Sequence, residues 1–190
     1  MYHKHSAEVD MNITVYLGSR SGNREIYKET VKELGAYIGD HGHTLVYGGS
    51  SMGLMGALAD AVLEHGGKVI GVEPVFFIEA EAQHDQITEL IVTKDMQERK
   101  AKMIELGDAF IAFPGGIGTL DEISEIMTMH NLNHTKCPCI FLNINGFYEP
   151  MKAMLRHMAE EGFVNPAMKE RISFADTIEE LDVLLKRRLD

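Results

Sequence analysis

Short apolar runs rich in β-branched residues alternate along this chain with longer segments of helical periodicity, and glycine clusters punctuate the joins. The runs are Ile13–Leu17, Thr44–Tyr47, Lys68–Val72, Leu90–Thr93, Ala109–Phe113, Cys139–Leu142 and a weaker Ile172–Phe174. Most are continuous rather than alternating in polarity, which is the pattern of parallel strands covered on both faces. Between the first two, Tyr27, Val31, Leu34 and Ile38 recur at spacings of 4, 3 and 4, so they share one helix face. Further helices are predicted over Gly53–His65, Met96–Leu106, Leu120–His130, Tyr148–Glu161 and Ile178–Leu189. Strand and helix in regular alternation imply an α/β fold, a three-layer doubly wound parallel sheet of the Rossmann-like nucleotide-binding type. No repeat, low-complexity segment or Pro/Ser-rich linker divides the chain, so the reading is a polar tail over 1–11 and a single domain over 12–190.

With 190 residues, 45% of them apolar and 25% charged, the chain can bury a substantial core. Its net charge of −11 repels a polyanion, which excludes nucleic acid as a first choice of partner. A small phosphorylated ligand stays compatible, because a local nest of backbone N–H groups with one arginine holds phosphate on an acidic protein. No apolar run approaches the roughly 20 residues that span a bilayer, and the N-terminus lacks the apolar core of a secretion signal. The expectation is a cytoplasmic protein with no membrane partner. Cys137 and Cys139, separated by Pro138, suit neither a short-range disulfide nor a secreted framework.

In a doubly wound sheet, ligands bind outside the carboxyl ends of the strands, where loops lead into helix N-termini. Three glycine-bearing segments fall there: Gly18 to Asn23 with Ser19, Gly48 to Gly56 with Gly49, Ser50 and Gly53, and Pro114 to Thr119 with Gly115, Gly116 and Gly118. Glycines let backbone N–H groups converge on an anion, and the following helix adds its positive dipole end. The familiar nucleotide fingerprints nonetheless fail. Asp121 stands where a third glycine of a dinucleotide motif would fall, and Leu54 stands where a P-loop has lysine. Any one segment alone could be no more than a tight strand-to-helix turn, but three on the same edge of one sheet count against that reading.

Two polar residues at this edge each have a local and a functional reading. Thr119 and Glu122 form a capping box, in which Glu122 does no more than satisfy a backbone N–H. Alternatively, a carboxylate beside a phosphate-sized nest activates water or stabilises a developing cation. Asp95 and Glu98 make a second cap, and Arg99 could pair with Asp95 at i, i+4. Arg99 could equally hold a phosphate or ribose oxygen through its planar guanidinium. His130, His134, Cys137 and Cys139 form a zinc-like set, but Asn131 replaces the glutamate of the metalloprotease motif and C-x-C spacing is unusual for structural zinc. The histidines therefore read as flanking a helix end, with no metal site.

Together these residues resemble the LOG (Lonely Guy) family of cytokinin riboside 5′-monophosphate phosphoribohydrolases, often labelled lysine decarboxylases. The resemblance runs from about Asn12 onward and is most specific in P-G-G-x-G-T-x-x-E, complete from Pro114 to Glu122. Supporting it are Tyr47 to Gly56, the Glu81, His84, Thr88-Glu89-Leu90 stretch, and Met96 with Glu98-Arg99-Lys100. It implies hydrolysis of the N-glycosidic bond of AMP or an N6-substituted AMP to free base and ribose 5-phosphate, with no cofactor. It further implies Arg99 and Glu122 as the catalytic pair, phosphate held by the glycine segments, substrate contacts from Glu81 and Lys100, and a homodimer with the Met127–His130 helix as candidate interface. Ser50, Met129 and Asn131 depart from the family pattern, which bears on base specificity. A non-catalytic nucleotide-binding module and another nucleotide hydrolase or phosphotransferase are the competing readings.

Overall fold

In the computed structural model, which describes residues 10–78, 83–165 and 167–187, seven parallel strands form one sheet. In chain order the elements are β1 (Asn12–Tyr16), α1 (Glu25–Asp40), β2 (Thr44–Tyr47), α2 (Gly53–Glu64), β3 (Lys68–Pro74), α3 (Val75–Ile78), β4 (Glu89–Thr93) and α4 (Met96–Leu106). They continue with β5 (Ala109–Ala112), α5 (Ile117–Asn131), β6 (Cys139–Leu142), α6 (Glu149–Glu160), α7 (Met168–Arg171), β7 (Ile172–Ala175) and α8 (Ile178–Lys186). The strand order is β4-β3-β2-β1-β5-β6-β7. From β1 the chain steps outward through β2, β3 and β4, then returns to the other side of β1 as β5. Loops leaving β1 and β5 diverge at that reversal and open a crevice at the carboxyl edge of the sheet.

The continuous apolar runs are explained by burial on both faces. Ile13, Val15, Leu45, Tyr47, Ala109, Ile111, Ile140 and Leu142 meet Val31, Leu34 and Ile38 of α1, Leu58 and Val62 of α2, and Leu181 and Leu185 of α8. Their strand neighbours Tyr16, Val46, Phe110, Ala112 and Phe141 face Met103 of α4 and Ile123 and Ile126 of α5. Successive strand residues thus feed opposite cores, giving the three layers that the sequence pattern implies.

Several boundaries differ from the sequence reading. Helix α5 starts at Ile117 rather than after Thr119, with Gly116 as its N-cap residue and no side-chain cap. The short α3 escapes periodicity because four residues make only about one turn. Met11, read as tail, is 7% exposed and belongs to the core, with its N–H directed to His43 at 3.4 Å. Most of the tail, and the last residues of the helix read to Leu189, lie outside the described residues. No helix among the described residues is long and apolar enough to cross a membrane.

Helices α1 and α2 approach unusually closely because Gly35 has no side chain. A Cβ there would lie 2.5 Å from Ala61 Cβ and 3.0 Å from the Leu58 carbonyl oxygen. We expect Gly35→Ala to cost about 1–3 kcal/mol by overpacking, read as a lower urea midpoint at unchanged m, with part of the loss recovered when Ala61→Gly is added.

Candidate active site

A cleft of about 630 Å³ opens at the carboxyl edge of the sheet, over the reversal between β1 and β5. Its walls come from the loops after β1, β2, β3 and β5 and from the first turns of α4 and α5. At its centre is an ion pair. Arg99 Nη1 donates to Glu122 Oε1 at 2.5 Å, while Arg99 Nε donates to the Val72 carbonyl of β3 at 2.9 Å. Arg99 is 5% and Glu122 7% exposed, so the contact is largely withdrawn from water although both side chains line the cleft.

Local sequence places the two partners from different directions. Asp95 caps α4 by accepting the Glu98 N–H at 2.8 Å, and Glu98 in turn accepts the Lys94 N–H at 2.7 Å. The expected cap is therefore present, and it starts α4 where Arg99 enters the cleft. Arg99 does not pair with Asp95 along the helix. Gly48 leaves its passage open, since a Cβ at that position would collide with Arg99 Nη2. Glu122 likewise abandons the capping box that its spacing allows, because α5 begins before Thr119 and the carboxylate turns to Arg99 instead. Burial pushes the Glu122 carboxyl above the ordinary carboxylate range, and contact with Arg99 opposes that push.

The α5 N-terminus supplies the second element. Its first three amides, from Ile117, Gly118 and Thr119, precede the first intrahelical bond, which runs from the Leu120 N–H to Gly116 O at 3.1 Å. No side chain caps them and no acidic residue occupies the first turn. Gly18, Ser19 and Arg20 from the β1 loop and Pro114, Gly115 and Gly116 from the β5 loop surround this positive dipole end.

Of the residues singled out from sequence, Gly18, Ser19, Gly48, Ser50, Arg99, Pro114, Gly115, Gly116, Gly118, Thr119 and Glu122 line the cleft. Gly49 does not line it, but its backbone, at φ 86°, lies against Glu73, whose Cβ would be 3.0 Å from any Cβ added there. Gly53 is a packing residue, with φ 58° and the Ser19 carbonyl where its Cβ would be. Lys100 is outside the cleft lining and bridges α4 to α5 through Asp121 at 3.0 Å and Glu125 at 3.4 Å. Glu81 lies outside the described residues. His130 Nε2 is 2.8 Å from the Cys137 carbonyl, and no group of three or more His, Cys, Asp or Glu able to hold a metal occurs among the described residues.

The sequence reading missed Arg20, Tyr27, Phe77, Phe147 and above all Glu73, which line the same cleft. Glu73 had a visible signal, a carboxylate between Val72 and Pro74 in an apolar strand. It is 1% exposed, and its Oε2 has no hydrogen-bond partner among the described residues. Burial raises its pKa, with Arg99 partly offsetting the effect. A carboxyl whose pKa is raised by folding retains its proton longer in the folded than in the unfolded chain, so stability falls as pH climbs from the ordinary value toward the folded one. We expect Glu73→Gln to remove this contribution, so that its stability relative to native protein improves between pH 5 and pH 8 in urea denaturation. A pH-independent difference would show that Glu73 is not held against ionisation.

Comparison with known proteins places the chain as a whole. A family model described as possible lysine decarboxylase matches residues 55–184. A cytokinin riboside 5′-monophosphate phosphoribohydrolase of Rhodococcoides fascians is 44% identical over 169 residues, covering 88% of this chain and 85% of the relative. The enzyme of that name called LOG in Oryza sativa subsp. japonica is 40% identical, covering 92% and 72%. The Arabidopsis thaliana enzyme LOG1 is 39% identical, covering 89% and 79%. Among solved structures, a molybdenum cofactor binding protein from Rippkaea orientalis superposes with TM-score 0.74 at 21% identity, covering 96% of this chain and 99% of that one. The molybdenum cofactor carrier protein of Chlamydomonas reinhardtii gives 0.69, also at 21%, covering 95% and 99%. At that identity the likeness establishes the shared fold.

Proposed function

The chain belongs to the LOG family of cytokinin riboside 5′-monophosphate phosphoribohydrolases, and from that premise we propose that it hydrolyses the N-glycosidic bond of AMP or an N6-substituted AMP. The products are free base and ribose 5-phosphate. The observation that carries this reading is the buried Arg99–Glu122 pair beside the uncapped N-terminus of α5 within one cleft.

Breaking a ribosyl C1′–N bond builds positive charge on the sugar and requires a water aimed at C1′. In this reading Glu122 stabilises that charge and takes a proton from the attacking water. Arg99 orients Glu122 and holds substrate oxygen atoms. The amides of Gly118 and Thr119, with the surrounding Gly115, Gly116, Gly18 and Ser19, receive the 5′-phosphate, and Gly48 and Ser50 close the β2 side. The decarboxylase description has no support in the residues. No lysine lines the cleft among the described residues, so pyridoxal phosphate would have no Schiff-base partner there.

Incubation of pure protein with AMP, or with an N6-substituted analogue, should release free base and ribose 5-phosphate. Glu122→Gln should lower kcat by about 10²–10⁴, the scale of a positioned acid–base group. Release of phosphate and adenosine would assign a different hydrolase, and native turnover in Glu122→Gln would remove the role of the carboxylate. Arg99→Ala leaves Glu122 buried without its partner, a loss of about 3–5 kcal/mol, so its kcat is meaningful only below its own melting transition.

We also propose a cytoplasmic homodimer that meets through α5, where Leu120 and, just past the helix, Leu132 are exposed while Ile123 and Ile126 of the same helix pack into the core. Light scattering should give twice the mass of 21.2 kDa; a monomer at working concentration would rule the dimer out.

A further inference from the structure

The cleft contains a second buried carboxyl that the Arg99–Glu122 pair does not engage. Glu73 follows Val72 on β3, whose carbonyl anchors Arg99, and its Oε2 is buried without a hydrogen-bond partner among the described residues while the side chain lines the cleft. A buried acceptor left without a partner is destabilising. A group held in the cleft at that cost is suited to a partner that the fold itself does not supply.

Topology gives the partner a place. Neighbouring strands are ~4.8 Å apart, so β3 lies about 10 Å from β1 across the sheet. This spacing is comparable to the reach of a nucleotide from phosphate to base. The β1 and β5 side of the cleft is lined by glycines and the α5 N-terminus, the β2 to β4 side by Met52, Met55, Phe77, Met96 and Glu73. A nucleotide with its phosphate at α5 and its sugar at Glu122 therefore extends its base toward the apolar wall that contains Glu73.

The proposed reaction also leaves a chemical need unmet. A purine departs readily only when a ring nitrogen is protonated as the bond breaks. Arg99 cannot give up a proton near neutral pH, and Glu122 is held against that guanidinium. Among the described lining residues the other ionisable side chains are Arg20, Tyr27 and Glu73. Resting on the reading of this chain as a phosphoribohydrolase, we propose that Glu73 is its general acid, donating its carboxyl proton to a ring nitrogen of the departing base.

The step balances. The C1′–N bond breaks with its electron pair passing to the base, and the Glu73 proton neutralises that base. Water adds to C1′, its proton goes to Glu122, and exchange with solvent restores both carboxyl groups. Burial keeps Glu73 protonated to higher pH, which fits an acid. Among the described residues, the charged and titratable groups facing it are Arg99 of α4, which opposes that shift, and Tyr47 of β2, whose phenol is itself pushed up by burial and by Glu73.

The test compares native protein and Glu73→Gln on AMP and on 4-nitrophenyl β-D-ribofuranoside 5-phosphate, whose leaving group needs no proton. We expect kcat on AMP to fall about 10²–10⁴-fold and kcat on the nitrophenyl substrate to fall far less, which also reports an intact fold. The alkaline loss of kcat/KM on AMP, caused by ionisation of the acid, should vanish in the variant. Equal losses on both substrates overturn the assignment, as does a raised KM with kcat and the alkaline limb intact, which would make Glu73 a binding contact only. Native protein inactive on every nucleotide overturns the phosphoribohydrolase reading and this inference with it. Native activity unchanged in Glu73→Gln overturns this inference alone.

Discussion

The buried contact between Arg99 and Glu122 is the constraint around which the carboxyl edge is arranged. Two opposite charges withdrawn from water must satisfy each other and their remaining hydrogen-bonding capacity. Arg99 does so through Glu122 and the Val72 carbonyl. The requirement accounts for features that look unrelated in isolation: no Cβ at Gly48, an α4 capped at Asp95 so that its first turn aims Arg99 inward, and an α5 that begins without a side-chain cap. Hydrophobic residues of similar volume commonly stabilise a fold as well as a buried ion pair does. The pair is therefore better explained by what it presents to the cleft than by what it adds to stability.

Its position follows from the winding of the sheet. Helix α4 precedes β5 and helix α5 follows it, so the two flank the strand at which the chain reverses direction across β1. Arg99 reaches back to β3, and Glu122 comes from the first turns after β5. One ion pair thus joins the two halves of a doubly wound sheet at the point where their loops part. Lys100 reinforces the same junction from outside the cleft through Asp121 and Glu125. Strands need only stop in register for the loops to surround one volume, and the parallel ladder from β4 to β7 ensures that they do.

Parallel strands were legible in the sequence because burial on both faces leaves an uninterrupted apolar run, and little else in a globular protein of this size produces seven of them. The glycine segments were legible for a similar reason, since a sheet edge needs such turns where chain and ligand approach closely. Arg99 and Glu122 could be singled out but not joined by spacing alone. Each had a local partner at i, i+3 or i, i+4 that secondary-structure rules favour, and their actual partnership spans 23 residues. Lys100 entered the site through the resemblance, as part of the Glu98-Arg99-Lys100 stretch, although successive helical residues point in different directions. Glu73 was passed over because strand periodicity weighs what a residue buries, and an acid inside such a run reads as a boundary rather than as a buried group.

Fold alone does not select the chemistry. The solved cofactor-binding and carrier proteins share this architecture at 21% identity, and a common sheet with a crevice at its reversal is compatible with carriage or catalysis. Catalysis of glycosidic cleavage asks for more than a crevice: an anion cradle, a carboxylate able to meet positive charge at carbon, and a proton for the group that leaves. In this cleft two buried carboxyl groups have different surroundings. Glu122 touches a guanidinium, whereas Glu73 has the more distant field of the same guanidinium and, among the described residues, no hydrogen bond on Oε2. Environments that differ in this way divide otherwise identical groups between the base and acid roles. Arg99 therefore does more than hold Glu122: it hydrogen-bonds one carboxyl directly and reaches the other only through its charge.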